Sequence, residues 1–333
     1  MRFNFILMRN ITGFTVLVII VCGAQVVSAQ ENPLQSSVFS LGYQFGFLHG
    51  QAEEIVYPSS EYQAELLSQL LWDIKPVLYN GLTLDLSPAI PAEQSGFFAG
   101  LSFKYGIPGD SGKMEDRDWL SKENAALTNF SSHDNVTREL FSINARAGYS
   151  FPFIRLVLLK PFINVSYMRF RFSGMDGYRI YAWHKGGGEY APIDEAETVQ
   201  LSGRIINYAQ EWFNAAPGLS LGLSFFDHFL FELSFQITHL ILCSGLDEHL
   251  HATKKIQYRD NMQGGLFFET GAQFAFSPVE WFSCSIEFSW RQAKETRGDS
   301  HQRAYGSGYY VQNGTAGAGL SILDTGLRLK IRL

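Results

Sequence analysis

Phe229-Leu230-Phe231-Glu232-Leu233-Ser234-Phe235-Gln236-Ile237-Thr238 places Phe, Phe, Leu, Phe and Ile on its odd positions. Its even positions, after Leu230, carry Glu, Ser, Gln and Thr. A repeat of two residues is the pattern of a β-strand whose two faces meet different surroundings. The same pattern recurs at 39–47, 97–105, 141–151 and 282–290, with Phe, Leu, Ile and Tyr dense on one face. The second face carries Ser, Gly, Gln, Glu, Arg and Lys, which a soluble sandwich core would accommodate poorly. In a membrane β-barrel the apolar face meets lipid and the polar face lines the interior. The chain end, Leu327-Arg328-Leu329-Lys330-Ile331-Arg332-Leu333, keeps this alternation to its last residue.

Working outward from these strands, short connections fall near 87–91, 150–156, 225–228 and 277–280. Long polar, Gly-rich stretches fall near 48–63, 106–138, 173–205, 244–262 and 291–315. Five long loops and four short turns predict a ten-stranded antiparallel transmembrane β-barrel with both termini on the short-turn side. Long loops of such barrels are extracellular.

The ends and composition agree with export to a bacterial outer membrane. Arg2 and Arg9, the apolar run from Ile11 to Cys22, and Val27-Ser28-Ala29 before Gln30 read as a signal peptide over residues 1–29. Residues 30–333 are then one barrel domain. The chain is 46% hydrophobic and 15% aromatic with only 17% charged residues, and its net charge of −6 argues against a nucleic-acid partner. Cys243 and Cys284 are the cysteines beyond the signal, read either as one bridge or as two separate thiols.

Two acidic clusters lie in the second and fourth long stretches: Asp116-Arg117-Asp118-Trp119 and Asp247-Glu248-His249. Together they offer three carboxylates and an imidazole, enough to activate a water for hydrolysis. A Ca²⁺ or Zn²⁺ site is the other chemistry open to such a set, although the spacing fits no calcium-loop pattern. Gly186-Gly187-Gly188 reads as a loop tip, lacking the strand-to-helix context of a phosphate loop.

These residues give the chain a family resemblance. Met114-Glu115-Asp116-Arg117-Asp118-Trp119 resembles the D-x-D-W segment of the omptins, ten-stranded outer-membrane aspartyl-type endopeptidases. Leu246-Asp247-Glu248-His249 resembles their D-x-H segment, and the likeness runs in strand order through the whole mature chain. The resemblance implies that Asp116 and Asp118 face Asp247 and His249 across an extracellular groove. His249 Nε2 would take a proton from a water, with Asp247 fixing its tautomer. His49-Gly-Gln-Ala-Glu-Glu-Ile-Val-Tyr57 resembles the omptin first loop and implies that Glu54 receives a basic substrate side chain. The second acid of that pocket is expected two residues before Asp247, where this chain has Gly245, so weaker discrimination for Arg or Lys is expected. Ser131-Ser132-His133 implies that His133 lines the groove as a substrate-binding residue.

No cofactor or metal is expected, but the resemblance implies lipopolysaccharide or another glycolipid as an activator. Tyr167 and Arg171 match that outer-wall site, Arg169 stands where an acid is expected, and Glu211-Trp212 stands where an Arg is expected. The arginines point either outward to lipid phosphate or inward, since Phe170 and Phe172 compete for the lipid face. The expected partners are therefore peptide or protein substrates at the cell surface and outer-membrane lipid. Two functions follow: an endopeptidase acting near basic residues, or a non-catalytic barrel serving as adhesin or structural protein.

Overall fold

The computed structural model describes residues 37–58, 60–88, 95–154, 157–226, 228–250, 255–304 and 307–333. The expected signal peptide lies outside them. Among the described residues ten staves follow in chain order. They are β1 (Ser37–Val56), β2 (Ser68–Pro88), β3 (Gly96–Gly106, continued by Gly109–Asp118), β4 (Asn129–Ile154) and β5 (Val157–Tyr181). Then come β6 (Arg204–Phe225), β7 (Phe229–Thr238, continued by Ile241–His249), β8 (Ile256–Gln263, continued by Leu266–Val279), β9 (Phe282–Ala304) and β10 (Tyr310–Arg332). Each is hydrogen-bonded to its sequence neighbour, and β10 pairs antiparallel with β1 from Ser40↔Arg332 to Val56↔Ala316. The ring is closed, so none of the ten staves is an edge strand.

The faces are those of a membrane barrel. Phe39, Leu41, Tyr43, Phe45 and Phe47 are all exposed on the outer wall, while Ser40 and Gln44 between them are buried. Along Phe229–Thr238, Leu233, Phe235 and Ile237 point out and Glu232, Gln236 and Thr238 point in. The interior charges are matched in sign. Asp324 accepts from Lys104 Nζ at 2.5 Å, from Arg291 at 3.3 Å and from the Tyr79 hydroxyl at 2.8 Å. Lys160 bonds Glu232 at 2.5 Å, and Arg328 bonds Glu287 at 2.9 Å. Lys104, Glu232, Glu287, Arg291, Asp324 and Arg328 line a lumen cavity of about 190 Å³. Cys243 is buried, Cys284 is half-buried, and the two are unbridged.

Higher in the barrel the filling turns apolar. Trp72 stacks on Phe172 at 5.6 Å and on Tyr208 at 5.3 Å, and Phe172 stacks on Phe170 at 5.6 Å. Each such ring pair contributes roughly 0.5–1.5 kcal/mol beyond its burial. Phe170 and Phe172 therefore belong to the interior, which turns Arg169 and Arg171 outward.

The stretches expected as long loops are mostly strand. Ladder hydrogen bonds join backbone groups and accept polar side chains as readily as apolar ones, so the staves run on past the apolar band as tall hairpins. Both acidic clusters sit on these extensions, Asp116 and Asp118 on upper β3 and Asp247 and His249 on upper β7. Between Tyr181 and Arg204 the connection holds only a small hairpin, His184–Gly186 with Glu189–Tyr190, a 3-10 turn and a short strand, Thr198–Gln200.

One irregularity positions the site. Along lower β7 the odd residues face out, but the chain slips by one at His239–Leu240, and above it Cys243, Gly245 and Asp247 are buried on the inner face. The Leu240 amide donates to Thr238 Oγ1 at 2.9 Å across the slip. Beside it, β8 slips at Gly264 and Gly265, whose φ values of 75° and 86° favour glycine. The two slips fall at one height, so pairing resumes above them at Leu242↔Gln263.

Candidate active site

Asp247 and His249 are two residues apart on a strand, which puts both side chains on one face. His249 Nε2 lies 2.6 Å from Asp247 Oδ2. That nitrogen is thus engaged by the carboxylate, leaving Nδ1 as the ring nitrogen available to a water. The assignment differs from the expected Nε2 because a strand's i, i+2 spacing brings the far end of the ring back onto the carboxylate. Burial by itself would lower the imidazole's pKa, but Asp247, with Asp116 and Asp118 behind it, raises it to about 9.

Asp116 and Asp118 arrive from the other side, on upper β3. Asp116 Oδ1 accepts from Ser68 Oγ at 3.4 Å, and Asp118 Oδ2 accepts from Asn129 Nδ2 at 3.2 Å. Burial, then the neighbouring Asp118 and Asp247, push Asp116 well above the usual carboxylate range, with His249 and Ser68 opposing. Burial also raises Asp118, against the hydrogen bonds of Ser68 and Asn129. Such a pair shares a proton more readily than it carries two charges. Asp116 and His249 line one cavity of about 220 Å³, with Ser131, His133, Arg179 and Tyr181. The two clusters of the sequence therefore meet in one place.

His133, on β4, is almost fully buried in this wall. Its Nδ1 sits 2.5 Å from the Asp176 carbonyl, which only accepts, so Nδ1 carries the proton. Nε2 then takes the Ser131 hydroxyl at 3.0 Å. The carbonyl is turned towards the ring by an irregularity in β5 where Asp176 and Gly177 have φ of 51° and 97°. A Cβ on Gly177 would stand 2.0 Å from the Ser132 carbonyl oxygen, so this position requires glycine.

Glu54 points inward from β1, 3% exposed, with Oε2 buried and lacking a hydrogen-bond partner. Burial, then Asp247, Asp260 and Asp116, raise its pKa well above the usual range. Asp260 was not a candidate in the sequence. It lies inward on upper β8 opposite Gly245, and only the register of two slipped staves puts it there. Ser68 and Asn129, which hold the aspartate pair, were equally silent, as polar residues of common type on strands.

Tyr167, Arg169 and Arg171 share the outer wall of β5, away from this groove. Arg169 faces Glu139 at 3.7 Å and Glu211 at 3.4 Å, and Arg171 faces Glu139 at 3.4 Å. Among the described residues no group of three or more His, Cys, Asp and Glu is arranged to hold a metal ion.

Comparison with known proteins gives concordant findings. The sequence profile of the Omptin family matches residues 35–332. The chain is 23% identical over 315 residues to the plasminogen activator of Yersinia pestis, covering 92% of this chain and 93% of that protein. The crystal structure of the outer membrane protease OmpT of Escherichia coli shares the fold, with a TM-score of 0.78 at 18% identity, covering 89% of this chain and 97% of that one.

Proposed function

The chain belongs to the omptin family, and on that premise we propose that it is an endopeptidase of the bacterial outer membrane, of aspartic type, with its groove facing the extracellular side. The observation that carries the reading is the shared cavity: Asp116 from one stave and His249, in contact with Asp247, from another.

A water held between the Asp116–Asp118 pair and His249 Nδ1 gives its proton to the imidazole as it attacks the scissile carbonyl. Asp247 stabilises the imidazolium that forms, and the attack is direct, with no acyl-enzyme. The aspartate pair, carrying one proton, donates a hydrogen bond to the developing oxyanion. The imidazolium then protonates the leaving amine. Glu54 directs cleavage to peptide bonds near basic residues, and His133 helps to shape the groove for substrate.

Tyr167, Arg169 and Arg171 form a lipid-phosphate site through which lipopolysaccharide supports activity. Each arginine already faces a glutamate, so phosphate must compete with Glu139 and Glu211 for it. Natural partners are then surface peptides or proteins and outer-membrane lipid.

Refolded protein, with and without lipopolysaccharide, is to be offered a peptide library in parallel with His249→Ala. Cleavage by the wild type alone is the expected result. Equal cleavage by both sinks the mechanism, and no cleavage by either favours a non-catalytic barrel acting as adhesin or structural protein.

A further inference from the structure

The groove contains more buried acid than the water-activating set uses. Glu54 and Asp260 are 3% and 4% exposed, and Glu54 Oε2 and Asp260 Oδ1 are both buried with no hydrogen-bond partner. Among the described residues neither carboxylate has a Lys, Arg or His within ion-pair distance. Buried oxygens left in this state are costly unless something else satisfies them.

The register explains how Asp260 comes to be there. Gly245 and Asp260 are direct partners in the β7–β8 ladder, so their Cα–Cβ directions lie on the same inner face. A Cβ on Gly245 would meet Asp260 Oδ2 at 3.5 Å and the Tyr208 hydroxyl at 3.5 Å. The carboxylate of Asp260 thus leans over the space that the missing side chain of Gly245 leaves. On its other flank Asp260 is paired with Ser300 of β9, whose hydroxyl bonds it.

We infer that Asp260, reaching across the ladder over Gly245, is a specificity-determining residue that joins Glu54 in binding a basic side chain of the substrate. The inference rests on the endopeptidase reading and replaces the expectation that Gly245 leaves the pocket with one acid. Tyr208, buried beneath Gly245 and itself receiving a hydrogen bond from Gln210 Nε2 at 3.0 Å, forms an aromatic floor for the aliphatic stem of the guest. Two neighbouring buried acids disfavour two charges: burial, then Asp247, lifts Asp260 to about 6, against the Ser300 hydrogen bond, and Asp260 is among the charges that raise Glu54. A guanidinium entering between the two acids satisfies both orphaned oxygens with charge-assisted bonds and draws out the ionised forms. An ammonium offers the same charge with a less extended set of donors.

The test uses the full-length refolded protein and two readouts. One is the ratio of kcat/KM for matched peptides with arginine or its neutral isostere citrulline. The other is binding of p-aminobenzamidine followed by its fluorescence, which needs no hydrolysis. Asp260→Asn is expected to lower the arginine-to-citrulline ratio and the affinity for the probe by about a hundredfold each. Gly245→Asp in the Asp260→Asn background returns a carboxylate to the same space from the other strand and should restore most of both. Asp260→Ser serves as a second variant if Asp260→Asn loses its heat-modifiable gel mobility.

An unchanged ratio and unchanged probe affinity in folded Asp260 variants overturn the inference while leaving the endopeptidase intact. Probe binding that disappears in the Asp260 variants, with no peptide cleaved by the wild type, supports the pocket and counts against the endopeptidase. Absence of probe binding to the wild type overturns the pocket. Binding of Ca²⁺ in preference to the probe also overturns it, since the site would then serve a metal ion.

Discussion

Asp247 and His249 touch through Oδ2 and Nε2, 2.6 Å apart on the inner face of one strand. The contact orients the ring, selects its free nitrogen and sets its basicity. Replacing either residue removes a different part of this arrangement. His249→Ala should lower kcat by about 10²–10⁴-fold, the usual worth of a positioned base. Asp247→Asn should lower it less, because the imidazole remains but loses its orienting charge. Measured rates that are equal to wild type in both variants would exclude the dyad.

The pH profile follows from the same contact. With His249 at about 9, roughly one free molecule in a hundred carries the neutral imidazole at pH 7. If that form is the base, kcat/KM rises about tenfold per pH unit from neutrality and levels near pH 9. Asp247→Asn removes the main charge raising the imidazole, so the limb should move to lower pH. The stability linkage has a definite sign: a raised imidazole pKa contributes stability fully below about 6.5, lost as pH rises through about 9. A profile flat from pH 7 to 9 in the wild type would contradict this assignment.

Gly177→Ala tests the support of His133. The new Cβ meets the Ser132 carbonyl and the residue must hold φ near 97°, so the β4–β5 hairpin should lose about 1–3 kcal/mol. The Asp176 carbonyl then no longer aims at Nδ1, and KM should rise more than kcat falls. Hydrogen exchange across 130–134 provides the local readout, and unaltered protection there would refute the role given to this turn.

Within the membrane band, Asp324 sits between Lys104, Arg291 and Tyr79. Asp324→Ala leaves two buried cations without their shared partner, which should cost about 3–5 kcal/mol. Urea unfolding in detergent, followed by gel mobility, checks the size of the loss. Asp324 lies below the groove, so the arginine-to-citrulline ratio should be unaffected in the fraction that remains folded.

On the outer wall, Arg169→Ala with Arg171→Ala should abolish stimulation by lipopolysaccharide. Glu211→Ala should strengthen it, because Arg169 is released from a competing carboxylate. Activity titrated against lipopolysaccharide and against vesicles of phosphatidylethanolamine separates a phosphate-rich glycolipid from bilayer lipid in general. Identical titrations for wild type and the double variant would remove these arginines from any lipid site.

The sequence by itself determined the ring. Alternation along stretches such as Phe229–Thr238 states which face meets lipid, because lipid admits apolar side chains and a two-residue repeat assigns them without knowledge of the partner strand. It also presented Asp116, Asp118, Asp247 and His249 as candidates by type and spacing, and Glu54 through the family resemblance. Only the tertiary structure decided where those residues point. Counted straight up from Ile237, the alternation turns Asp247 and His249 outward. The slip at His239–Leu240, matched by Gly264–Gly265 on the neighbouring stave, turns them in. The same pair of slips brings Asp260 over Gly245, because register is a relation between two strands and is not written in either one alone.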